Sequence, residues 1–473
     1  MSINLIPFTN LVLPSHSRRY QLEPKKMATE SIEVEIVDTQ TVKPSSPTPQ
    51  DLRNFKLYLL DLFMPGIYIK FLLFYPNVAS TTTTHTAKAI NDKYQHLIES
   101  LAKTLTHYYP FAGRKKSNVA VECNDDGAQV VKAHVKCSLS DIFERPDPEM
   151  LTRLLPTGAE STEAEAGPRA LLYVQVNLFE CGGMAVGLGF SHKIADVSTV
   201  CTFIHCWAAT ALQSNKVILP QFGGVASSFP PLDFPLWESP SEKEKPVTRR
   251  YVFDNSKISV LQSETSSSLV PKPTRVEAVS ALIWKCAIEA SSKSSPNTLC
   301  SSPIRPSTFR LAVNLRKMVT PPFPDNMAGN FSLSAITKAE ESTSNVLDLK
   351  DLVVKIRAGI EEMKEAATKV FDPNEAMQVL TEYLTIPLKD QEIETYYCSS
   401  WCRFPFYETD FGWGKPSWVS GPSLVVKNMF HLVDKRDCKG IEAWLTLSEE
   451  KMALFESNME LLAYASLNPR VTY

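Results

Sequence analysis

The sequence predicts a mixed α/β protein built from two domains of similar size. Its 473 residues exceed what a single hydrophobic core usually holds. Strand-like and helix-like patterns alternate through both halves of the chain. Residues 220–247 are rich in proline and charge and contain ESPSEKEKP, a composition that does not form regular structure. We therefore expect an N-terminal domain at 27–219, a crossover loop at 220–247 and a C-terminal domain at 248–473.

The periodicity of apolar residues predicts the individual elements. The expected elements, apart from a hairpin in the first half, are a strand at 32–37, a helix at 92–107, a strand at 250–253, a helix at 275–289, a strand at 309–314, and two strands followed by a helix within 424–465. Thr274 and Glu277, three residues apart, have the spacing of a capping box at the start of the second helix.

A β-hairpin is predicted in the first half of the chain. Apolar and polar residues alternate over 171–179, with Gln175 and Asn177 on the polar side, which predicts a half-buried strand. A turn with two glycines follows, and the segment MAVGLGF then predicts a second strand. This second strand leads directly to His192.

Composition and charge exclude several classes of protein. A formal net charge of -3 and a pI near 6.3 leave no basic field that would hold a nucleic acid. No apolar run reaches the roughly 18 residues that span a bilayer, so we expect a soluble protein. The ten cysteines lack the spacing of a zinc site and are expected to be reduced thiols. No bound metal is predicted.

Residues 1–26 form an extension outside the predicted domains. The serines, the two arginines and the lack of acidic residues near its start are compatible with a plastid transit peptide. Pro7 and Pro14, however, break any amphipathic helix, and Met27 opens a stretch that already has the pattern of a globular domain. We expect a dispensable extension and a cytoplasmic protein, with plastid targeting as the alternative.

The segment SHKIAD places His192 and Asp196 in an HxxxD motif between the hairpin and a predicted helix, which Asp196 or Ser198 could cap. Histidine has an unperturbed pKa of about 6.5 and can accept a proton near neutral pH. An alcohol must lose its proton as it attacks a thioester, so His192 is the candidate general base. Asp196 could orient the loop or the ring. Taken alone, the motif also fits a packed histidine beside a helix-capping aspartate.

Residues 410–416, DFGWGKP, form a second candidate motif that begins at Asp410. Gly412 and Gly414 flank Trp413, which indicates backbone bent past a large ring at a domain boundary. We interpret the motif as a structural turn. A protein-kinase DFG is excluded because no HRD catalytic loop accompanies it, and neither a G-x-S-x-G nor an H-E-x-x-H motif occurs.

Six segments in order, among them YYPFAGR, HKIADVSTV, VNLR and FYETDFGWGKP, resemble the BAHD family of plant coenzyme A-dependent acyltransferases, in particular its vinorine synthase branch. The resemblance extends from about residue 32 to the carboxyl terminus. It implies two mixed-sheet domains with a channel between them, in which acyl-CoA and the acceptor enter from opposite faces. It also implies that His192 lies in mid-channel as the catalytic base. Asp196 is then expected to support the loop through a salt bridge, for which Arg316 is the candidate.

Two further groups of residues have expected roles. The resemblance implies that the DFGWG segment is mainly architectural, although Asp410 is sometimes credited with a proton-transfer role. The phosphates of acyl-CoA need donors, and Lys272, Arg275 and Lys285 around the capped helix are the candidates. Basic residues near a helix end are also often simply solvated.

The sequence thus predicts a monomeric, acyl-CoA-dependent O-acyltransferase without a permanent cofactor. The branch resemblance favours transfer of acetyl to a hydroxyl of an alkaloid or terpenoid. Transfer is expected to be direct, because no serine or cysteine stands in a nucleophile motif with a base; Cys201 and Cys206 are the nearest competitors. The alternatives are a catalytically silent binding or regulatory homologue with the same fold, and acyl transfer to an amine.

Overall fold

The computed structural model of the chain describes residues 32–77, 87–159, 169–223, 246–294, 305–340, 347–372, 374–376, 378–380, 393–421 and 426–472. The predicted extension at 1–26 lies outside these described residues, as do residues 224–245 of the predicted crossover loop.

Strands and helices alternate along the described chain. The strands are β1 Val34–Val42, β2 Asn54–Lys56, β3 Tyr68–Tyr75, β4 Arg114–Ser117, β5 Ala120–Glu122, β6 Ala128–Val135, β7 Leu172–Phe179, β8 Met184–Ser191, β9 Pro246–Phe253, β10 Ser307–Asn314, β11 Ser332–Ala339, β12 Glu394–Ser400, β13 Trp418–Ser420, β14 Met429–Asp434, β15 Ile441–Ser448 and β16 Ser466–Leu467. The α-helices are α1 Leu59–Phe63, α2 Ala87–His107, α3 Leu139–Glu144, α4 Pro148–Thr152, α5 Val197–Ala211, α6 Asn255–Glu264, α7 Arg275–Lys293, α8 Leu349–Val370, α9 Glu449–Glu456 and α10 Met459–Tyr464. None of these helices is both long enough and apolar enough to cross a membrane.

The elements predicted from the sequence are present, and the α/β class is confirmed. Most of them are longer than predicted, because backbone pairing continues past the residues with a clear apolar pattern. The Thr274–Glu277 capping box at the start of α7 is formed in both directions. The predicted final helix is two helices, α9 and α10, because Asn458 caps a new helix with hydrogen bonds from Glu460 and Leu461.

A six-stranded mixed sheet has the order β1-β6-β7-β8-β3-β13. Five of its strands come from the first half of the chain, and β6 and β7 are its parallel pair. The sixth, β13, comes from the second half and pairs with β3, with Trp418 opposite Phe74. The core between this sheet and helices α2 and α5 therefore includes residues that follow DFGWG in the sequence.

The β7–β8 hairpin is confirmed, but the prediction of a half-buried β7 is wrong. All eight residues of β7 are buried. The side-chain amide of Gln175 donates to the carbonyl oxygen of Arg153 at 3.0 Å, and that of Asn177 donates to the carbonyl oxygen of Leu154 at 2.8 Å. A loop after α4 thus covers the polar face. Gly187 permits this approach, because a Cβ there would lie against the Leu154 carbonyl oxygen.

A seven-stranded sheet contains the other long strands, in the order β11-β10-β12-β14-β15-β9-β16. Helices α6, α7, α9 and α10 supply much of the core against it. A separate apolar core joins the two halves of the chain. It packs Tyr58, Leu59 and Leu60 from the first half against Leu315 and Phe331 from the second. The candidate site borders this core.

Candidate active site

His192 lies at the junction of β8 and α5. Its backbone N–H donates to the carbonyl oxygen of Ile67 at 2.9 Å, which extends the pairing of β8 with β3. The helix α5 begins at Val197, and Asp196 is its N-cap, because Asp196 Oδ1 accepts a hydrogen bond from the Thr199 N–H at 2.9 Å. The predicted order of strand, motif and helix is confirmed.

The imidazole of His192 contacts Asn330, which lies just before β11. The distance from His192 Nδ1 to Asn330 Oδ1 is 3.1 Å, and the Asn330 amide nitrogen donates to the His192 carbonyl oxygen at 2.8 Å. Because an amide oxygen only accepts, Nδ1 carries the proton and Nε2 keeps its lone pair. Burial lowers the pKa of His192 below its ordinary value. The half-buried ring is therefore neutral near pH 7 and can accept a proton at Nε2.

Asp196 forms a buried ion pair with Arg316, which lies in a short 3-10 turn after β10. Arg316 Nη1 lies 2.6 Å from Asp196 Oδ2, and Nη2 lies 3.1 Å from Oδ1. The backbone N–H of Phe331 also donates to Oδ2, at 2.9 Å. Burial tends to raise the pKa of Asp196, but the Arg316 guanidinium holds it below the ordinary value. The ion pair expected from the family resemblance is thus present.

The remaining donors of Arg316 are also used. Its guanidinium donates to the carbonyl oxygens of Met327 and Gly329 and to the hydroxyl of Thr199. A fully buried arginine is stable only when its charge and its donors are matched in this way. The hydrogen bonds of Asp196 go to Arg316 and to backbone N–H groups, so Asp196 holds the loop. The imidazole is oriented by Asn330 instead.

The Asp410 carboxylate is hydrogen-bonded within its own loop through one of its oxygens. Its Oδ1 accepts hydrogen bonds from the N–H groups of Gly412 at 2.8 Å and Gly414 at 3.0 Å. Both glycines have positive φ angles, 109° and 102°, which favour glycine. Phe411 is buried, with its ring centroid 4.9 Å from that of Trp207 on α5. These contacts favour the structural interpretation of DFGWG over a proton-transfer role for Asp410.

The expected coenzyme A contacts lie on and before α7. Arg275 donates to Asp434 Oδ1 at 3.0 Å and to the carbonyl oxygen of Lys439. Lys285 pairs with Glu460 at 2.6 Å, whereas Lys272 is exposed in the loop before the helix. Two of the three cations are therefore already paired with carboxylates. A role for all three in binding phosphate stays a prediction. Within the described part of the chain, no group of His, Cys, Asp and Glu side chains has the arrangement of a metal site.

Asn330 and Asp61 are site residues that the sequence reasoning missed. Asn330 lies 138 residues from His192 in the chain, and the segment AGNFS around it carries no motif. Asp61 is not part of a recognisable sequence motif either. It is, however, the single charged residue in the apolar run LYLLDLF. A lone carboxylate in such a run is a signal of a buried, partnered charge.

Comparisons with known proteins identify the family of the chain. The model of the family described as "Transferase family" matches residues 32–462. A 17,18-epoxy-17-hydroxycur-19-ene N-malonyltransferase from Strychnos nux-vomica is 34% identical over 92% of this chain and 91% of its own length. Salutaridinol 7-O-acetyltransferase from Papaver somniferum is 34% identical over 91% of this chain and 98% of its own.

The fold has a counterpart among solved structures. The crystal structure of vinorine synthase superimposes with a TM-score of 0.79 at 33% sequence identity, covering 93% of this chain and 100% of that one. The two-domain mixed-sheet fold and the HxxxD site thus define an acyltransferase. The chain belongs to the plant BAHD family of acyl-CoA-dependent acyltransferases.

Removal of the Asp196 carboxylate tests the buried ion pair. We expect Asp196→Ala to lower the free energy of unfolding by about 3–5 kcal/mol, because it leaves the Arg316 guanidinium buried and unpaired. Acyl transfer should fall as well, since the loop that carries His192 loses its support. Thermal unfolding followed by circular dichroism measures the first effect.

A control is Glu361→Ala in α8, which removes a carboxylate that is 54% exposed and paired with Lys364. It should change stability by no more than about 0.5 kcal/mol. If the unfolding temperature of Asp196→Ala equals that of the wild type, the ion pair does not support the site.

Proposed function

We propose that the protein transfers an acyl group, most simply acetyl, from acyl-CoA directly to a hydroxyl of a small plant metabolite such as an alkaloid or terpenoid. His192 is the general base. The observation that carries the proposal is the contact of His192 Nδ1 with Asn330 Oδ1, because it leaves Nε2 to take the hydroxyl proton. A cytoplasmic monomer that uses acetyl-CoA and retains no cofactor belongs to the same proposal.

One base serves both steps of the reaction. His192 Nε2 removes the hydroxyl proton as the acceptor oxygen attacks the thioester carbonyl carbon. The tetrahedral intermediate collapses, the carbon–sulfur bond breaks, and the coenzyme A thiolate takes the proton back from the imidazolium. While the ring is charged, its Nδ1–H bond to Asn330 becomes charge-assisted and therefore stronger. That bond keeps the ring in place through both proton transfers.

A cysteine nucleophile is disfavoured by the environment of the two candidates. Burial raises the pKa of Cys201 to about 12 and that of Cys206 to about 11. A thiol reacts as its thiolate, and almost none is present near neutral pH at such pKa values. Both residues lie on α5 within the apolar core. This supports direct transfer through a complex that holds both substrates.

The acyl group and the acceptor atom are inferred from relatives. Salutaridinol 7-O-acetyltransferase is named for acetyl transfer to oxygen, which supports the first proposal. The Strychnos nux-vomica relative is named as an N-malonyltransferase, and this favours an amine acceptor and a malonyl donor as the second candidate. The same imidazole could deprotonate either acceptor. The intact HxxxD motif and the unprotonated Nε2 disfavour a catalytically silent homologue.

Replacement of the base tests the proposed chemistry. Incubation of a plant metabolite extract with acetyl-CoA or malonyl-CoA, followed by mass spectrometry, identifies the acylated product and its bond to oxygen or nitrogen. We expect His192→Ala to form this product about a hundredfold to ten-thousandfold more slowly, which is the usual contribution of a general base. The exposed His134 on β6 provides the matched control, and His134→Ala should keep the wild-type rate. Normal turnover by folded His192→Ala would remove His192 from the mechanism.

Direct transfer predicts that no acyl-enzyme accumulates. Intact-mass analysis of the protein with acetyl-CoA alone should show the unmodified mass, and double-reciprocal plots with both substrates should intersect. A stoichiometric acetyl adduct that is chased by the acceptor, together with parallel lines, would contradict direct transfer. It would assign His192 to the activation of a protein nucleophile.

A further inference from the structure

The buried carboxyl group of Asp61 contacts Asn330, the residue that orients the His192 ring. Asp61 is in α1 and is only 1% exposed. It belongs to the first half of the chain, whereas Asn330 belongs to the second. Burial raises the pKa of Asp61 to about 7, against the opposing effect of its hydrogen bonds. Perturbed carboxyl groups of this kind concentrate at functional sites, and the mechanism above leaves Asp61 without a role.

The carboxyl oxygens of Asp61 face donors. Oδ1 accepts hydrogen bonds from the side-chain nitrogen of Asn330 at 2.8 Å and from its backbone N–H at 3.1 Å. Oδ2 accepts from the backbone N–H of Tyr58 at 3.1 Å. Asp61 therefore binds the residue that contacts the imidazole, and it does so through the nitrogen end of the amide.

These contacts determine which way the Asn330 amide points. An asparagine side chain has a donor end and an acceptor end. Its NH2 group lies 2.8 Å from Asp61 Oδ1 and 2.8 Å from the His192 carbonyl oxygen. A flipped amide would place an oxygen against both of these acceptors. The two acceptors thus hold the NH2 group, and the amide oxygen must face the imidazole.

We infer that Asp61 is a positioning residue that sets the tautomer of His192 through Asn330. The inference rests on the proposed role of His192 as the base. By holding the amide nitrogen, Asp61 turns the amide oxygen toward Nδ1, which keeps the proton on Nδ1 and the lone pair on Nε2. Asp61 does not touch the reacting atoms. Hydrogen bonds link Asp61 to Asn330 and Asn330 to His192, and we call this linkage the relay. It orients the ring and joins the two halves of the chain.

The test is the tautomer of His192 in the free enzyme, measured by 15N NMR of histidine-labelled protein. The His192 signals are identified by their absence in His192→Ala. In the wild type we expect a protonated Nδ1 and an unprotonated Nε2. In Asp61→Asn, one orientation of the new amide turns its NH2 group toward the two Asn330 donors. The other orientation keeps an oxygen toward Asn330, but that oxygen is uncharged and the NH2 group then opposes the Tyr58 N–H. Both orientations weaken the hold on the Asn330 NH2 group. We expect a shift toward the Nε2-protonated tautomer and a fall in kcat of about 10- to 100-fold, with KM for acyl-CoA changed less.

Glu442→Gln is the matched control, because Glu442 is also a buried carboxylate, paired with Arg250 on β9. It should lose stability but keep the His192 tautomer and kcat. A fall in kcat for Asp61→Asn with an unchanged Nδ1–H tautomer would overturn the inference, as would an Nε2-protonated ring in the wild type. If Asp61→Asn does not fold, Asp61→Ala removes the acceptor without adding volume to the buried site, and the expected result is the same.

A double-mutant cycle separates the relay from a general effect on the fold. If Asp61 acts only through Asn330, the variant Asp61→Asn/Asn330→Ala should be no slower than Asn330→Ala alone. Additive losses would contradict the relay. Failure of the proposed function is distinguishable, because it would appear as activity in His192→Ala, whereas the tautomer is measured without substrate.

Discussion

The buried ion pair between Arg316 and Asp196 is the interaction on which the rest of the site depends. Asp196 ends the loop that carries His192, and Arg316 comes from a turn after β10 in the other half of the chain. A guanidinium that is fully buried needs every donor matched, and carbonyl oxygens at 327 and 329 meet this need. The same requirement therefore shapes the segment that ends at Asn330. The hydrogen bonds that match the Arg316 charge therefore also help to fix the position of the His192 ring.

The apolar core that joins the two halves of the chain also positions the polar groups of the site. Tyr58 and Phe331 pack with their ring centroids 5.1 Å apart. Each is close in sequence to a polar residue of the site. Asp61 lies three residues after Tyr58, and Asn330 precedes Phe331. Packing brings the two polar groups together, and hydrogen bonds then set their orientation. A change in this core should therefore alter catalysis without contact with either substrate.

Local sequence predicted the elements and the motif but not the partners of the motif. Alternation and glycine turns were sufficient for the β7–β8 hairpin, because those signals act over a few residues. They failed for the polar face of β7, because Gln175 and Asn177 are covered by a loop that is distant in sequence. The Arg316 partner of Asp196 came from family resemblance. Asn330 carried no local signal, and β13 joined a sheet that its position in the chain does not indicate.

A crystal structure with bound coenzyme A would test the central claim, that His192 Nε2 is the base at the reacting centre. We expect the thiol sulfur to lie near Nε2, at about the 3–3.5 Å typical of reacting groups. Asn330 should stay on Nδ1, and Arg316 should stay paired with Asp196. A well-ordered coenzyme A whose sulfur lies beside Asp410, or anywhere out of reach of the imidazole, would contradict the account.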